Sequence, residues 1–453
     1  MANTRNRVAV TGIGLVSSLG HDVSTFWNAC LRGETVVEEV PEHWNHYYNS
    51  KSTHWSPLPL PDFGAVGLRR SDVLSYDPVA LNSIYAADMA LIHAGCRKSP
   101  VDERSGRYTL EMFDDYRCGA YVGTGLGCIS STFQNYVPHL LSQLSLNPTN
   151  GSILADRSTI LDELSEYLRE NPRVLPVAST KCMANAVSSL LSIRYGLRGA
   201  NETCVAACSA GTTAIARAFD QIASGRIDFA LAGGTEYYGD RAGGVFMAFD
   251  RLNTLAKPRS TDTKVNRPFD SERTGFLFSQ GGACILALES MSFAQARGAR
   301  VLAELKGSFS TSDAYSLAAL DPEGTAIRRM IRGALSDANV THRDVDYINT
   351  HGTGTVLNDA VEASILEREF PHNPLLNCSK SLLGHTIGAC GAFESAITIM
   401  SIAEGEIHPS INLTSPVRDL NFVTKRTSAE LTCALSHNFG FGGHNVGLVF
   451  GKL

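Results

Sequence analysis

The chain has 453 residues, 43% of them hydrophobic and 19% charged, a globular composition large enough for two core-forming units or one large duplicated one. A formal charge of −6 gives no general reason for nucleic-acid or membrane-surface binding, so a negatively charged partner would need a local basic patch. No apolar run approaches the roughly 20 residues of a bilayer span, and Met1 to Arg7 is short and polar, so a cytoplasmic location is expected.

Short β-rich runs alternate with helical patterns and glycine-rich turns. Val8–Gly12 reads as a strand followed by a turn at Gly12–Gly14, and Ala120–Val122 as a strand ending in Gly123-Thr124-Gly125-Leu126-Gly127. Within 151–173, Ile160, Leu161, Leu164, Tyr167 and Leu168 fall at helical spacing, with Ser158 or Thr159 as N-cap and Pro172 past the end. Val205-Ala206-Ala207-Cys208-Ser209-Ala210-Gly211 joins an apolar run to a helix with Ile215, Phe219 and Ile222 on one face. Phe229–Ala232 runs into Gly233-Gly234-Thr235, and Gly282–Leu288 is a further apolar run. The polar, proline-containing stretch from Pro258 to Asp270 divides the chain near its middle. Beyond it, Val345–Asn349 leads into His351-Gly352-Thr353-Gly354-Thr355, and Lys380-Ser381-Leu382-Leu383-Gly384-His385 precedes a small-residue helix at Gly388–Ala392. The turn Asn438-Phe439-Gly440-Phe441-Gly442-Gly443 and the run Val446–Phe450 close the chain. Strands separated by helices predict an α/β protein with mostly parallel sheets. The faint likeness of the two sides suggests a duplication.

The eleven cysteines are odd in number and contain no CxxC pair; Cys204 and Cys208 are the closest two. Reduced thiols are therefore expected rather than disulfides or a zinc site. At Cys208 the small neighbours suit a tight strand-to-helix turn, where free N–H groups and the helix dipole favour a thiolate and could bind an oxyanion. By itself Cys208 reads either as a nucleophile or as a small buried hydrophobe, with Cys204 the better structural cysteine. His351 and His385 each read either as catalytic or as turn histidines. Together the thiol, two imidazoles and the Lys380 ammonium are a more specific set: they can form a thioester, stabilise an enolate and hold a carboxylate-bearing substrate. No G-x-S-x-G elbow, Walker A loop or dinucleotide fingerprint occurs, so serine hydrolysis, ATP and NAD(P) are not indicated.

At these residues the chain resembles the β-ketoacyl-[acyl-carrier-protein] synthases of the type I/II, ketoacyl synthase II-like class, in the thiolase superfamily. The resemblance extends through Val8–Gly20, Tyr121–Gly127, Tyr195–Gly199, Ala232–Glu236, Arg267–Asp270 and Phe439–Gly443. It implies a five-layer α/β/α/β/α fold: an N-terminal half, 1–257, carrying Cys208, and a C-terminal half, 258–453, carrying His351, Lys380 and His385. It also implies a dimer, either of two copies or with a related ketosynthase-like subunit. Cys208 matches the acyl-accepting nucleophile, and the backbone N–H groups of Cys208 and Phe441 match the oxyanion hole. His351 and His385 match the groups that promote malonyl decarboxylation and hold the enolate. Lys380 would orient His351, with Asp359 and Glu362 in the supporting polar network. Thr353 and Thr355 match the threonines that bind the phosphopantetheine arm of the acyl carrier protein, which bears the substrates; no further cofactor is required. Leu126 matches a boundary of the acyl tunnel, Phe439 and Phe441 the aromatic turn over it, and Arg69 and Arg70 basic contacts for the carrier. Asn349, Glu394 and Ser436 match positions that in some relatives bind a structural monovalent cation.

The chain departs from the family pattern at several positions. Val356 and Asn358 stand where the family usually has proline and glycine, His437-Asn438 where it has Asn-Ser, and His444 where it has threonine; the excursion over 130–173 is longer than usual. The expected reaction is acyl transfer to Cys208 followed by decarboxylative Claisen condensation with malonyl-ACP, in fatty-acid or specialised polyene or polyketide synthesis. A non-decarboxylating thiolase typically has a second cysteine in its C-terminal loop, and a chain-length-factor-like subunit usually lacks the nucleophile. Cys208, His351 and His385 together oppose both alternatives.

Overall fold

The computed structural model describes residues 5–46, 48–102, 105–134, 177–240, 242–258 and 264–453. The helix expected within 151–173 lies outside the described residues.

The main-sheet strands in chain order are β1 (Val8–Val16), β2 (Cys118–Thr124), β3 (Asn201–Val205), β4 (Phe229–Tyr237), β5 (Gly281–Ser290), β6 (Ala303–Ser312), β7 (Tyr347–Asn349), β8 (Leu375–Asn377), β9 (Cys433–Gly440) and β10 (His444–Gly451). The helices that cover them are α1 (Pro78–His93), α2 (Ala186–Tyr195), α3 (Ala210–Ala223), α4 (Thr325–Asp337), α5 (Val356–Glu369) and α6 (Cys390–Glu404). The ten strands lie in the order β8-β7-β9-β10-β6-β1-β5-β4-β2-β3.

Read outward from the centre, one side runs β1-β5-β4-β2-β3 and the other β6-β10-β9-β7-β8. Each side begins with two antiparallel pairings and ends with two parallel ones. The helices also enter in the same chain order, after β1, β2 and β3 in the first half and after β6, β7 and β8 in the second. This identity of order and direction establishes two equivalent halves. They meet where Val8, Ala9 and Val10 pair antiparallel with Leu305, Glu304 and Ala303.

The division expected at 257/258 falls later, between Ser290 and Ala303, because β5 lies between β1 and β4 of the N-terminal half. The mostly parallel sheet is likewise corrected to a mixed one, with five antiparallel and four parallel neighbours. Each half inserts its last strand beside its first, and a tight turn reverses the chain between β9 and β10.

Helices α3 and α6 share one core between the halves: Ile215, Phe219 and Ile222 pack with Phe393, Ile397 and Ile399. α1 and α2 cover the outer face of the N-terminal half, and α4 and α5 that of the C-terminal half. The result is the five-layer thiolase arrangement. α1 begins where the Asp77 side chain accepts from the Val79 N–H with Pro78 at its first position. Ile387–Glu404, long and apolar enough to cross a bilayer, is 89% buried inside this core.

The turn expected at Gly12–Gly14 is continuous strand. A Cβ at Gly12 would come within 2.2 Å of the Ala90 carbonyl oxygen, and one at Gly14 within 2.0 Å of that of Ala86. These glycines allow α1 to lie directly on β1 rather than allowing the chain to bend. The same holds at Gly233, inside β4, where a Cβ would meet the Cys284 carbonyl oxygen at 2.0 Å.

Candidate active site

The same strand-to-helix turn occurs in both halves. After β3 the chain passes through Ala207, at φ 47°, into a single 3-10 turn, Ala207–Ser209, and then into α3. In the second half Ile387, also at φ 47°, opens the 3-10 turn Ile387–Ala389 that leads into α6. A left-handed backbone is uncommon for alanine and worse for β-branched isoleucine, costing of order 1–3 kcal/mol, and such strain concentrates at functional sites. The first turn presents Cys208; the second, at Gly388, has no side chain.

His385, just before the second turn, places Nε2 3.1 Å from Cys208 Sγ. Its Nδ1 accepts the Ile387 N–H at 3.3 Å, so the proton of the neutral ring sits on Nε2, facing the sulfur. His351 follows β7. Lys380 Nζ, which can only donate, lies 3.2 Å from its Nδ1, and Asn438 Nδ2 lies 3.1 Å away. His351 Nδ1 is therefore an acceptor, and its Nε2 also carries the proton. Burial, then the Lys380 charge, holds both imidazoles well below the usual histidine range. The rings stand 5.8 Å apart at 85°. Two neutral imidazole N–H donors thus flank one thiol.

The expected thiolate is not favoured in the resting chain. Burial pushes the Cys208 thiol up to about 12, although Lys380 and the backbone N–H groups of Phe441 and Cys208 pull the other way. Desolvation outweighs the helix terminus because the sulfur is enclosed. Those two N–H groups lie beside the sulfur, where the carbonyl oxygen of an acyl group on it would meet them.

Lys380 forms a buried ion pair with Glu394 and donates to the His351 carbonyl at 2.6 Å. Asn438 spans the two halves, donating to Glu394 and accepting from Thr212 of α3. Glu394, expected at a cation site, thus has one carboxylate oxygen on an ammonium and the other on an amide. Asn349 is engaged by Ser379 at 2.9 Å, and only the Ser436 hydroxyl of the three is buried without a hydrogen-bond partner. This donor set does not fit a cation, and no step is assigned to one.

Glu362 accepts the N–H groups of His351 and Gly352, both at 2.8 Å, and His437 Nε2–H at 2.6 Å. It holds the loop rather than contacting Lys380. Asp359 fixes the neighbouring turn by accepting from Phe269 at 2.7 Å and Gly354 at 3.1 Å. His437 stacks on Phe439, with centroids 5.1 Å apart, and Phe439 in turn meets His351 at 5.3 Å.

A cavity of about 330 Å³ joins Cys208, His351 and His385 to the surface, lined by Thr353, Thr355 and Phe441 among others. The two threonine hydroxyls are 2.9 Å apart. Leu126 is 48% exposed and is not among the residues lining this cavity; its N–H turns inward to Glu236. Arg69 and Arg70 are outside it as well. Arg69 is bound through two nitrogens to Asp72, at 2.8 and 2.7 Å, and Arg70 is exposed at the start of the short helix Arg70–Ser75.

Glu236 was not anticipated as a site residue. Fully buried, it accepts Gly125 N–H at 2.6 Å from one half and Gly388 N–H at 3.2 Å from the other. Burial pushes its carboxyl up to about 7. A carboxylate ending an apolar strand was the available signal. Cys390 is a second unanticipated thiol, donating to the Cys208 carbonyl at 3.1 Å.

Residues 5–292 match the β-ketoacyl synthase N-terminal domain and 302–414 its C-terminal domain. The chain is 30% identical to 3-oxoacyl-[acyl-carrier-protein] synthase 2 of Synechocystis sp., covering 100% of both chains. It is 31% identical to the chloroplastic 3-oxoacyl-[acyl-carrier-protein] synthase I of Hordeum vulgare, over 98% of this chain and 89% of that one. Among solved structures, a β-ketoacyl synthase from Burkholderia phymatum superposes with a TM-score of 0.82 at 27% identity, covering 99% of this chain and 100% of that one. The ishigamide ketosynthase/chain length factor gives 0.81 at 27%, with the same coverage. A type II polyketide ketosynthase, solved with its acyl carrier protein and bound to the hexaketide, gives 0.79 at 25%, again with the same coverage. With matching domains on both halves and a Cys-His-His centre assembled between them, the chain belongs to the β-ketoacyl synthase family and is a carbon–carbon bond-forming acyltransferase of the 3-oxoacyl-[acyl-carrier-protein] synthase type.

Proposed function

We propose that Cys208 accepts the acyl chain and that His351 and His385 act as neutral hydrogen-bond donors to the enolate. The carrying observation is the pair of Nε2–H groups derived above, with His385 Nε2 at 3.1 Å from Cys208 Sγ. The Cys208 sulfur attacks the acyl thioester, whose carbonyl oxygen takes the Cys208 and Phe441 N–H groups. Collapse of the tetrahedral adduct expels the carrier thiol, which takes up the proton lost by Cys208. The malonyl thioester then loses CO2, and the electron pair of the broken bond enters an enolate whose oxygen accepts both imidazole N–H groups. The enolate carbon attacks the acyl-Cys208 carbonyl, releasing the 3-oxoacyl thioester and a thiolate that is reprotonated from solvent. The scheme uses no cofactor beyond the phosphopantetheine that carries the substrates, with Thr353 and Thr355 as its hydrogen-bonding partners in the cavity.

The partners follow from the same reading. Two solved relatives are a ketosynthase with its acyl carrier protein and a ketosynthase/chain length factor. For this chain we assign a carrier protein at the cavity mouth and a second copy or ketosynthase-like subunit on β3. That strand is an edge of the ten-stranded sheet and ends in Val205, 61% exposed.

Incubation with an acyl thioester and intact-mass measurement tests the reading. The wild type should gain one acyl group and Cys208→Ala none. An equal gain in Cys208→Ala would refute the assignment.

A further inference from the structure

Beside the catalytic cavity, at its lining residue Asn253, stands a set of cations that no described carboxylate neutralises. Asn253, one of the lining residues, is exposed and held in the left-handed region at φ 56°. Its side-chain oxygen accepts from Lys51 Nζ at 3.0 Å and from Lys257 Nζ at 3.3 Å. Two ammonium groups on one neutral oxygen repel each other, and an amide dipole compensates only a fraction of that charge. Arg251, two residues before Asn253, holds its guanidinium 4.9 Å from the centre of the Tyr48 ring.

The backbone behind these groups is fixed. Asp250 accepts the Lys51 and Ser52 N–H groups, each at 3.0 Å, and the Tyr48 hydroxyl at 2.9 Å. The carboxylate nearest in sequence is thus spent on holding the loop. Among the described residues, neither lysine nor Arg251 has an ion-pair partner. The one carboxylate lining the cavity among the described residues, Asp313, accepts from Asn445 Nδ2 at 2.6 Å; the cations on the Asn253 side favour an anion arriving there over a neutral substrate.

We propose that Lys51 and Lys257, spaced by Asn253 and flanked by Arg251, form an anion subsite for the phosphodiester at the outer end of the phosphopantetheine arm. The assignment rests on the proposed function, since an arm with its thioester at Cys208 and its amides by Thr353 and Thr355 has its phosphate toward the mouth. It also replaces Arg69, whose guanidinium is committed to Asp72, as the basic contact for the carrier-borne substrate.

The test uses the full-length protein and donors bearing one acyl group on pantetheine, on 4′-phosphopantetheine and on the carrier protein. With Lys51→Gln/Lys257→Gln, the KM for the phosphorylated small donor, relative to that for acyl-pantetheine, should rise about tenfold at low salt, the size of two exposed ionic contacts. Lys51→Arg/Lys257→Arg should keep the wild-type ratio. Equal changes for both small donors, or none, would overturn the subsite. A loss confined to the acyl carrier protein would assign the lysines to that protein's acidic surface instead. The same selective loss in Arg70→Gln would move the anion contact away from this rim. Equilibrium binding of free 4′-phosphopantetheine against pantetheine reads the rim without the chemistry. Failure of every donor to acylate Cys208, with phosphate-dependent binding intact, would therefore sink the proposed function and leave the subsite standing.

Discussion

Replacing Lys380 should destabilise this protein more than replacing Lys380 and Glu394 together. The two side chains form an ion pair with each side chain only 2% exposed. Lys380→Met leaves the Glu394 carboxylate buried with an amide as its remaining partner, and breaking a buried pair in this way costs about 3–5 kcal/mol. Lys380→Met/Glu394→Met removes both charges. It leaves the Asn438 amide short of one acceptor, a penalty of about 1–3 kcal/mol. Urea denaturation of the three proteins should place the double variant between the parent and the single variant. Activity should not follow stability. Both variants lose the ammonium that keeps the proton off His351 Nδ1, and a histidine losing the partner that sets its tautomer can lose about 10⁴ in rate. Asn438 still donates to the same nitrogen at 3.1 Å, so malonyl decarboxylation should fall by roughly 10², toward the smaller end of general acid–base effects. A single variant within about 1 kcal/mol of the parent would refute the buried-pair argument, as would a double variant less stable than the single.

Because burial holds the Cys208 thiol at about 12, alkylation by iodoacetamide should rise about tenfold per pH unit between pH 7 and 9; a plateau in that range would show an activated thiolate in the resting enzyme. Glu236, raised from 4.5 to about 7 by burial, binds its proton more tightly folded than unfolded. Its stabilising contribution is full below the unfolded value and lost as pH rises through the folded one, by an amount of order 3 kcal/mol. Glu236→Gln should flatten that slope between pH 5 and 7.5 in urea titrations, and an unaltered slope would reject the assignment. Ala207→Gly relaxes a left-handed residue, while also loosening the unfolded chain by up to about 1 kcal/mol; equal stability with lower acyl transfer would show that the strain aims the thiol. Leu126→Trp, at an exposed position outside the cavity, should leave the preference between short and long acyl chains within about twofold, and a selective loss of long chains would place Leu126 on the tunnel wall.

The legible part of this molecule was the part whose chemistry is local in sequence. Cys208, His351, Lys380 and His385 sit on short turns whose glycines and small residues are set by those same turns, and the structure gathers them around one sulfur. The polar network behind them was only partly visible. Asn438 acquires its meaning from Thr212, 226 residues away, and Glu236 from Gly388, 152 residues away. No periodicity within either segment encodes such a meeting. The misread turn at Gly12–Gly14 and the strand Phe229–Ala232, which continues through Gly233 to Tyr237, share another cause. A glycine required by close packing and one required by a bend look alike in sequence, and only the helix lying on β1, or the neighbouring backbone on β4, distinguishes them. The thiol was misjudged for a third reason. The helix start favouring thiolate is local, whereas the burial opposing it is a property of the assembled interior.

The duplication explains why one half is nucleophilic and the other is not. Both turns open on a left-handed residue, Ala207 in one and Ile387 in the other, and lead into the paired central helices. Two side chains aimed from them would compete for the space between α3 and α6. A Cβ at Gly388 would lie 2.3 Å from the Gly125 nitrogen and 2.7 Å from Glu236 Oε2, so the second turn can approach the end of β2 and Glu236 of the first half only without a side chain. That approach lets Glu236 accept N–H groups from Gly125 in the first half and Gly388 in the second at once. It also places His385, three residues earlier, against the sulfur of Cys208. The second half has thus given up its own side chain at the turn and supplies instead the imidazoles that handle the developing negative charge. In the proposed reaction one copy of the unit holds the acyl group and the other stabilises the enolate, a division that neither half could achieve alone because each set of groups projects into the gap between them.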